Sequence, residues 1–331
     1  MESTAIVSST QSEPRRERRP AARLNAPSAE AAPEFGVAYS TSRGRMYRGY
    51  VEQFLAAPVS GRYRGRVQLI FFSPPFPLNR KKKYGNKQGE SYVDWLADLA
   101  PRLTELLTPD GSIVIELGNG WEPGRPVMSV LTMKALLAFA ERGELNLCQQ
   151  FVCENPARLP GPAPWVTLER MRVKDSFTHV WWMAPSDRPK ADNRNVLKPY
   201  SGAMAKLLAR GKYNAGRRPS QHVINDTSFL ADNGGAIPGN HLSFPNTAAE
   251  PYLERCKAAG VAPHPARMPS QLAEFFIKFL TDEGDLVLDP FGGSNTTGAA
   301  AQALKRRWVA IEPVDSYIES SKYRFARVDA P

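Results

Sequence analysis

The stretch from Asp285 to Glu312 limits the fold more than any other part of the chain. Asp285-Leu286-Val287-Leu288-Asp289 predicts a short buried strand. A tight loop follows, Pro290-Phe291-Gly292-Gly293-Ser294-Asn295-Thr296-Thr297-Gly298, and opens a small-residue helix over Ala299 to Leu304. Trp308 to Ile311 predicts the next strand, which ends on Glu312. Strand, turn, helix and strand in so short a span make a βαβ unit, which pairs its strands in parallel through a right-handed crossover.

The loop also carries chemistry. Its glycines let the backbone approach a ligand, and the helix N-terminus offers N–H groups to a negative group. Glu312 can accept from two ribose hydroxyls. Gly292 and Gly293 are adjacent, and no Gly-x-Gly-x-x-Gly or Gly-Lys-Ser/Thr follows. NAD and ATP therefore fit poorly. S-adenosylmethionine, a small zwitterionic nucleoside, needs no pyrophosphate cradle. The candidate cofactor contacts are Asp289, Pro290, Phe291, Gly292, Gly293, Ser294, Asn295, Thr296 and Glu312. A Gly turn kept for helix–strand packing is the competing explanation.

The second informative stretch is Ser73-Pro74-Pro75-Phe76, after the apolar run Val67 to Phe72. Two prolines remove two N–H donors and forbid a helix, leaving nearby carbonyls free to accept from a ligand. A hydroxyl, free carbonyls and a ring in four residues suit a flat molecule with an amino group, such as a nucleobase. The same residues also suit a stiff strand exit with a packing Phe. Asn79, Arg80, Lys81, Lys82 and Lys83 follow directly, as a phosphate clamp or as a solvated charge run.

Further elements fit an α/β, doubly wound, mostly parallel sheet. Tyr39 to Tyr47 reads as two strands about a Gly turn, and Val51 to Ala56 as the start of a helix. Apolar spacing predicts a helix over Tyr92–Leu107, a turn at Pro109-Asp110-Gly111 and a strand over Ser112–Leu117. A helix over Pro126–Arg142 and strands over Leu145–Val152 and Phe177–Met183 come next. A helix follows Pro265, with Leu272, Phe275, Phe276, Phe279 and Leu280 on one face, and a last helix spans Val314–Phe325.

Residues 1–33 lack apolar periodicity and predict a disordered basic tail. Periodicity fades again over 186–262, which divides the catalytic part (34–185) from the cofactor-binding part (263–331). Within it, Arg194, Lys198, Lys212, Arg217 and Arg218 stand among aromatic and amide residues. Basic groups bind phosphate, and Arg, Asn and Gln read base edges, although a solvated basic loop has the same composition. The net charge of +10 agrees with a polyanionic partner. No stretch is apolar enough to predict a membrane span, and no signal peptide is expected. Cys148, Cys153 and Cys256 form no Cys-x-x-Cys pattern, the four histidines are scattered, and no metal site is expected.

The Ser-Pro-Pro-Phe block, basic region and Asp-Pro-Phe-Gly-Gly loop, in that order, resemble the permuted β class of amino-group DNA methyltransferases. Within it, the chain is similar to PvuII-type modification methylases, from about Tyr39 to Phe325. The similarity runs through Lys83-Tyr84-Gly85-Asn86, Tyr92-Val93-Asp94-Trp95, Arg172-Val173-Lys174-Asp175, Val180-Trp181-Trp182, Asn233-Gly234-Gly235 and His264-Pro265-Ala266-Arg267. It implies a Rossmann-like methyltransferase fold with an inserted DNA-recognition region, and S-adenosylmethionine as cofactor. It further implies N4 methylation of a flipped cytosine in double-stranded DNA, with Ser73, Pro74, Pro75 and Phe76 as the catalytic set. Adenine-N6 methylation, or a DNA-binding regulator with a decayed cofactor site, are the alternatives. C5 methylation would need a Pro-Cys nucleophile, which is absent, and Cys153 lies far from both motifs in sequence. Monomer and homodimer are both open, a cognate endonuclease would share only the site, and a cytoplasmic, nucleoid-associated setting is expected. One departure stands out: Gly49 is followed by Tyr50, where the family often has an acidic residue facing the cofactor.

Overall fold

The computed structural model describes residues 32–76, 89–213, 216–217, 219–220, 223–225, 230–245 and 251–329. Most of the predicted N-terminal tail, Asn79 to Lys83 and Arg218 therefore lie outside the described residues.

Among the described residues, nine strands build one sheet. They are β1 (Gly36–Ser40), β2 (Gly44–Arg48), β3 (Val67–Phe72), β4 (Leu107–Gly118), β5 (Asn146–Glu154), β6 (Phe177–Ala184), β7 (His241–Ser243), β8 (Leu286–Asp289) and β9 (Arg307–Glu312). Their spatial order is β1-β2-β9-β8-β3-β4-β6-β5-β7. The five strands from β2 to β4 run parallel. β1 is antiparallel to β2, and β6 is antiparallel to both its neighbours. Thus the sheet is mostly parallel, as expected, with a reversed strand that alternation alone did not mark.

The helices cover both faces because β3 is buried on both. Val67, Ile70 and Phe72 face a cluster with α1 (Val51–Ala56), α2 (Glu90–Thr104) and α3 (Leu131–Arg142). Leu69 and Phe71 face a second cluster with α6 (Ser270–Leu280), α7 (Thr296–Ala303) and α8 (Asp315–Ser321). Such two-sided burial explains why β3 reads as a continuous apolar run and not as an alternating one. The exception, Gln68, is satisfied: its amide donates to the Asp110 carbonyl and accepts from Thr108 Oγ1.

That contact accounts for one difference from expectation. Pro109-Asp110-Gly111 is no free turn. Val67 pairs with Leu107 and Leu69 with Ser112, so the segment is an enlarged bulge inside β4, opposite Gln68. The helix expected from Pro126 begins at Leu131, because Met128-Ser129 pairs back on Gly120-Trp121 as a small hairpin.

The 186–262 range contains α4 (Gly202–Arg210), α5 (Pro251–Ala258) and a two-stranded ribbon. It also supplies β7, which extends the sheet in parallel beside β5 and buries Leu242. Lys190 bridges to Asp282 and Asp285 ahead of β8. Asn233-Gly234-Gly235 forms a braced turn: the Tyr200 hydroxyl donates to Asp232 and accepts from Asn233 N–H. Gly235 packs against the Lys198 carbonyl, where a side chain would collide.

Candidate active site

β3 and β8 are neighbours at the middle of the sheet. Their parallel pairing brings the loop after Phe72 and the loop after Asp289 to the same carboxyl edge, although about two hundred residues separate them. Open α/β sheets bind ligands at that edge. Here both loops line one cavity of about 500 Å³, within the ~300–1,000 Å³ typical of small-ligand sites.

The Gly-rich side is built for shape. Gly293 has a left-handed φ of +51°, and Gly292 packs against Ala310 and Met46. Glu312 sits opposite: Oε2 accepts from Gly293 N–H at 2.8 Å, and Oε1 from Val314 N–H at 3.0 Å. Of the predicted cofactor contacts, Asp289, Pro290, Phe291, Gly292, Gly293, Ser294, Thr296 and Glu312 line the cavity. Asn295 does not. Fully buried with φ +56°, it caps α7 by accepting from Gly298 N–H and donates to the Tyr39 hydroxyl. Its place is therefore in the loop's framework.

Two acids on this side are buried. Burial pushes Asp289 up to about 6, against a hydrogen bond from Phe291 N–H. Burial pushes Glu312 up to about 7; the Val314 and Gly293 N–H groups oppose this, and the Asp289 charge adds to it. A ligand that brings hydroxyl donors or a positive charge favours their ionised forms.

On the other side, Ser73, Pro74, Pro75 and Phe76 all reach the cavity. Phe76 packs over Gly118 at the end of β4, where any side chain would overlap its ring. Sequence reasoning missed Glu116, two residues earlier. It is buried at 7% exposure and lines the cavity. Its carboxylate accepts from Thr178 Oγ1 at 2.9 Å and is hydrogen-bonded by the Ser73 side chain. Burial raises Glu116 above the usual carboxylate range; the two hydroxyls and Arg158 oppose this. A Ser73 hydroxyl turned to Glu116 would keep its lone pairs to accept from a ligand. A lone acid in an apolar strand looks like a chance substitution until topology sets it beside Ser73.

Cys153 is nearer than its sequence position suggested, since it too lines the cavity. Burial, helped by the Glu116 charge, pushes its thiol up to about 12. It is a thiol at neutral pH and not the thiolate that C5 chemistry needs.

Tyr50 lines the cavity and is 42% exposed. Two residues on, Glu52 supplies a carboxylate to the same wall, with Oε1 accepting from Trp95 Nε1 at 2.6 Å. An acid is thus present on this wall at position 52, in α1, and not at position 50. His264 and Arg267 also line the cavity, and His264 meets Tyr317 edge-on at 4.1 Å.

The predicted DNA contacts Arg194, Lys198, Lys212 and Arg217 are exposed and lie away from the cavity wall. Arg194 forks onto its own Asp192 at 2.6–3.0 Å. Among the described residues no cluster of acids, histidines and cysteines could hold a metal, and no helix is long and apolar enough to cross a membrane.

An open α/β sheet thus carries a nucleoside-type loop and a Ser-Pro-Pro-Phe turn on adjacent central strands, the arrangement expected of an amino-group methyltransferase. The comparisons with known proteins agree. A family model described as DNA methylase matches residues 67–323. The type II methyltransferase M.PvuII of Proteus hauseri is 41% identical over 292 residues, 87% of this chain and 85% of that one. The solved PvuII DNA methyltransferase (cytosine-N4-specific) superposes with a TM-score of 0.69 at 34% identity, covering 89% of this chain and 91% of that one. A solved complex of M1.HpyAVI with SAM shares the fold, with a TM-score of 0.51 at 18% identity over 86% of this chain and 100% of that one. The chain belongs to the DNA methylase family, and the protein is a DNA methyltransferase.

Proposed function

We propose that the protein transfers a methyl group from S-adenosylmethionine to the exocyclic N4 of a cytosine flipped out of double-stranded DNA. The observation that carries this reading is the shared cavity: a hydroxyl held by Glu116, the acceptor-rich Pro-Pro turn, the Gly292–Gly293 loop and Glu312 all face one space. The resemblance to a cytosine-N4-specific enzyme over most of both chains supports the choice of atom.

The cradle fits the cofactor. Glu312 keeps acceptor capacity for ribose hydroxyls, and the loop from Asp289 to Thr296 leaves room for backbone approach. Tyr50 and Glu52, on the cavity wall, would hold its adenosine end. When bound, the cofactor supplies an electrophilic methyl group on a sulfonium.

The residues of this chain do the rest. A flipped base costs stacking and pairing energy, and a pocket must recover it. Phe76 gives the base a stacking face. The N4 lone pair is delocalised into the cytosine ring and attacks poorly. Ser73 Oγ and the Pro74 carbonyl accept from its two N–H groups, draw the amine toward tetrahedral geometry and aim the lone pair at the methyl. Orientation is the main contribution. The surplus proton leaves late, through the Ser73 hydroxyl toward Glu116. The exposed basic residues of the 186–262 region, with Arg80, Lys81, Lys82 and Lys83, supply phosphate contacts. Site-specific modification within a restriction–modification system, in the cytoplasm at the nucleoid, is the matching biological setting.

Mass spectrometry of nucleosides from DNA modified by the purified protein tests the atom. N4-methylcytosine is expected. N6-methyladenine without N4-methylcytosine would replace this reading with the adenine one.

A further inference from the structure

The connection between β5 and β6, residues 155–176, is anchored at the cavity and projects from it. Asn155, Arg158, Ser176 and Phe177 line the cavity beside Ser73. Between them the chain exposes large aliphatic side chains: Leu159 at 82%, Leu168 at 78% and Val173 at 87%. Water-exposed aliphatics at this density on one loop mark an interaction surface.

The loop is braced and not slack. Lys174 Nζ donates to the Pro156 and Arg158 carbonyls. Asn119 holds Asp175 at 2.9 Å. The Arg172 guanidinium lies over the Trp121 ring at 4.7 Å, and Trp121 meets Trp165 at 5.9 Å. A pre-formed loop keeps its apolar tips out in water because they await something.

The surrounding charge says what that is. Arg158, Arg170, Arg172 and Lys174 outnumber Glu169 and Asp175 on this connection, and Asp175 is turned inward onto Asn119. Exposed aliphatic groups interleaved with cations along one connection suit a polyanion with an apolar interior, which is a base stack between phosphates. Resting on the base-flipping reading above, we propose that residues 159–173 form the wedge that enters the duplex where the target base has left. Leu159, Leu168 and Val173 replace the lost stacking, and the net positive charge of the connection attracts the phosphates on either side. The loop's roots at Arg158 and Ser176 fix the distance from that gap to Ser73, so insertion and capture of the base are one movement.

The test uses the full chain and a duplex carrying the site that methylome sequencing identifies. Leu159→Ser and Val173→Ser, separately and together, remove only exposed groups, and thermal melting checks that the fold persists. At saturating DNA, the double variant is expected to methylate the matched duplex at least ~10-fold more slowly. It should stay within ~2-fold of wild type when the target base is mispaired and already easy to extrude. A 2-aminopurine beside the target, bright on binding wild type, should lose most of its signal with the variant. Equal slowing on both duplexes, or wild-type rate on the matched one, would overturn the wedge. Transfer to adenine would overturn the cytosine reading alone, and the same pair of duplexes would then be built at the adenine. If no transfer occurs at all, the 2-aminopurine signal, which needs only binding, still decides the loop.

Discussion

The Phe76 ring occupies the space in which a side chain on Gly118 would stand. The expected stacking face is therefore set by a glycine at the end of another strand. Gly118→Ala should displace the ring and cost ~1–3 kcal/mol of stability through overpacking. Methyl transfer should fall more than tenfold, with cofactor affinity within twofold of wild type. Parallel calorimetry and single-turnover assays would separate the two, and loss of both together would argue against a role for the ring in base stacking.

Ser73 and Glu116 should act in series. Ser73→Ala should lower turnover by roughly a hundredfold, the scale of a positioned proton-transfer group, and weaken DNA binding much less. Glu116→Gln keeps an acceptor for Ser73 and Thr178 but cannot ionise. In wild type the rate should rise with pH as Glu116 loses its proton, with the limb displaced above the ordinary carboxylate range, because burial opposes its charge. That limb should vanish in Glu116→Gln. A pH–rate profile that keeps it would remove Glu116 from the proton path.

Glu312 makes cofactor binding depend on pH. Its folded value of about 7 lies above the ordinary 4.5, so the folded protein holds a proton that the unfolded chain releases. The resulting contribution to folding stability is present in full below about 4.5 and lost as pH rises toward 7. The cofactor works the other way, since ribose hydroxyls donate best to a carboxylate. Affinity should therefore increase from pH 5.5 to 7.5 and level off above, while the unliganded protein loses stability over the same interval. Titration calorimetry across that range, repeated with Glu312→Gln, checks both slopes; a pH-independent affinity in wild type would refute the assignment.

Glu52 should stand in for the acid that position 50 lacks. Glu52→Ala removes the carboxylate that accepts from Trp95 Nε1 and should weaken cofactor binding about tenfold, the size of one charge-assisted hydrogen bond. Tyr50→Ala should have a smaller effect, and an unchanged affinity in Glu52→Ala would show that this wall is not used.

Much of this architecture was legible in the chain. β3, the Gly-rich loop and Glu312 declare themselves because apolar runs, paired glycines and a strand-ending acid each have a local cause. The bulge at Pro109–Gly111 was not legible, because Gln68, which binds it, belongs to another strand. Glu116 and Gly118 escaped for the same reason: each has ordinary neighbours in sequence and acquires meaning only from the strand beside it, and Cys153, set aside for its distance in sequence, proves to line the cavity. Asn295 shows the reverse error, in which a motif residue taken as a contact proves to cap α7 and brace Tyr39.

The order of the sheet also bears on synthesis. β8 and β9, the last of the nine strands in sequence, lie between the β1–β2 hairpin and β3, which are made first. A growing chain on the ribosome therefore has a gap at the centre of its sheet until β8 and β9 emerge. Until then β2 and β3 have no partner across that gap, and Ser73 has no cofactor loop to face. A chain that stops short of β8 lacks the loop and Glu312 that line the cavity opposite Ser73.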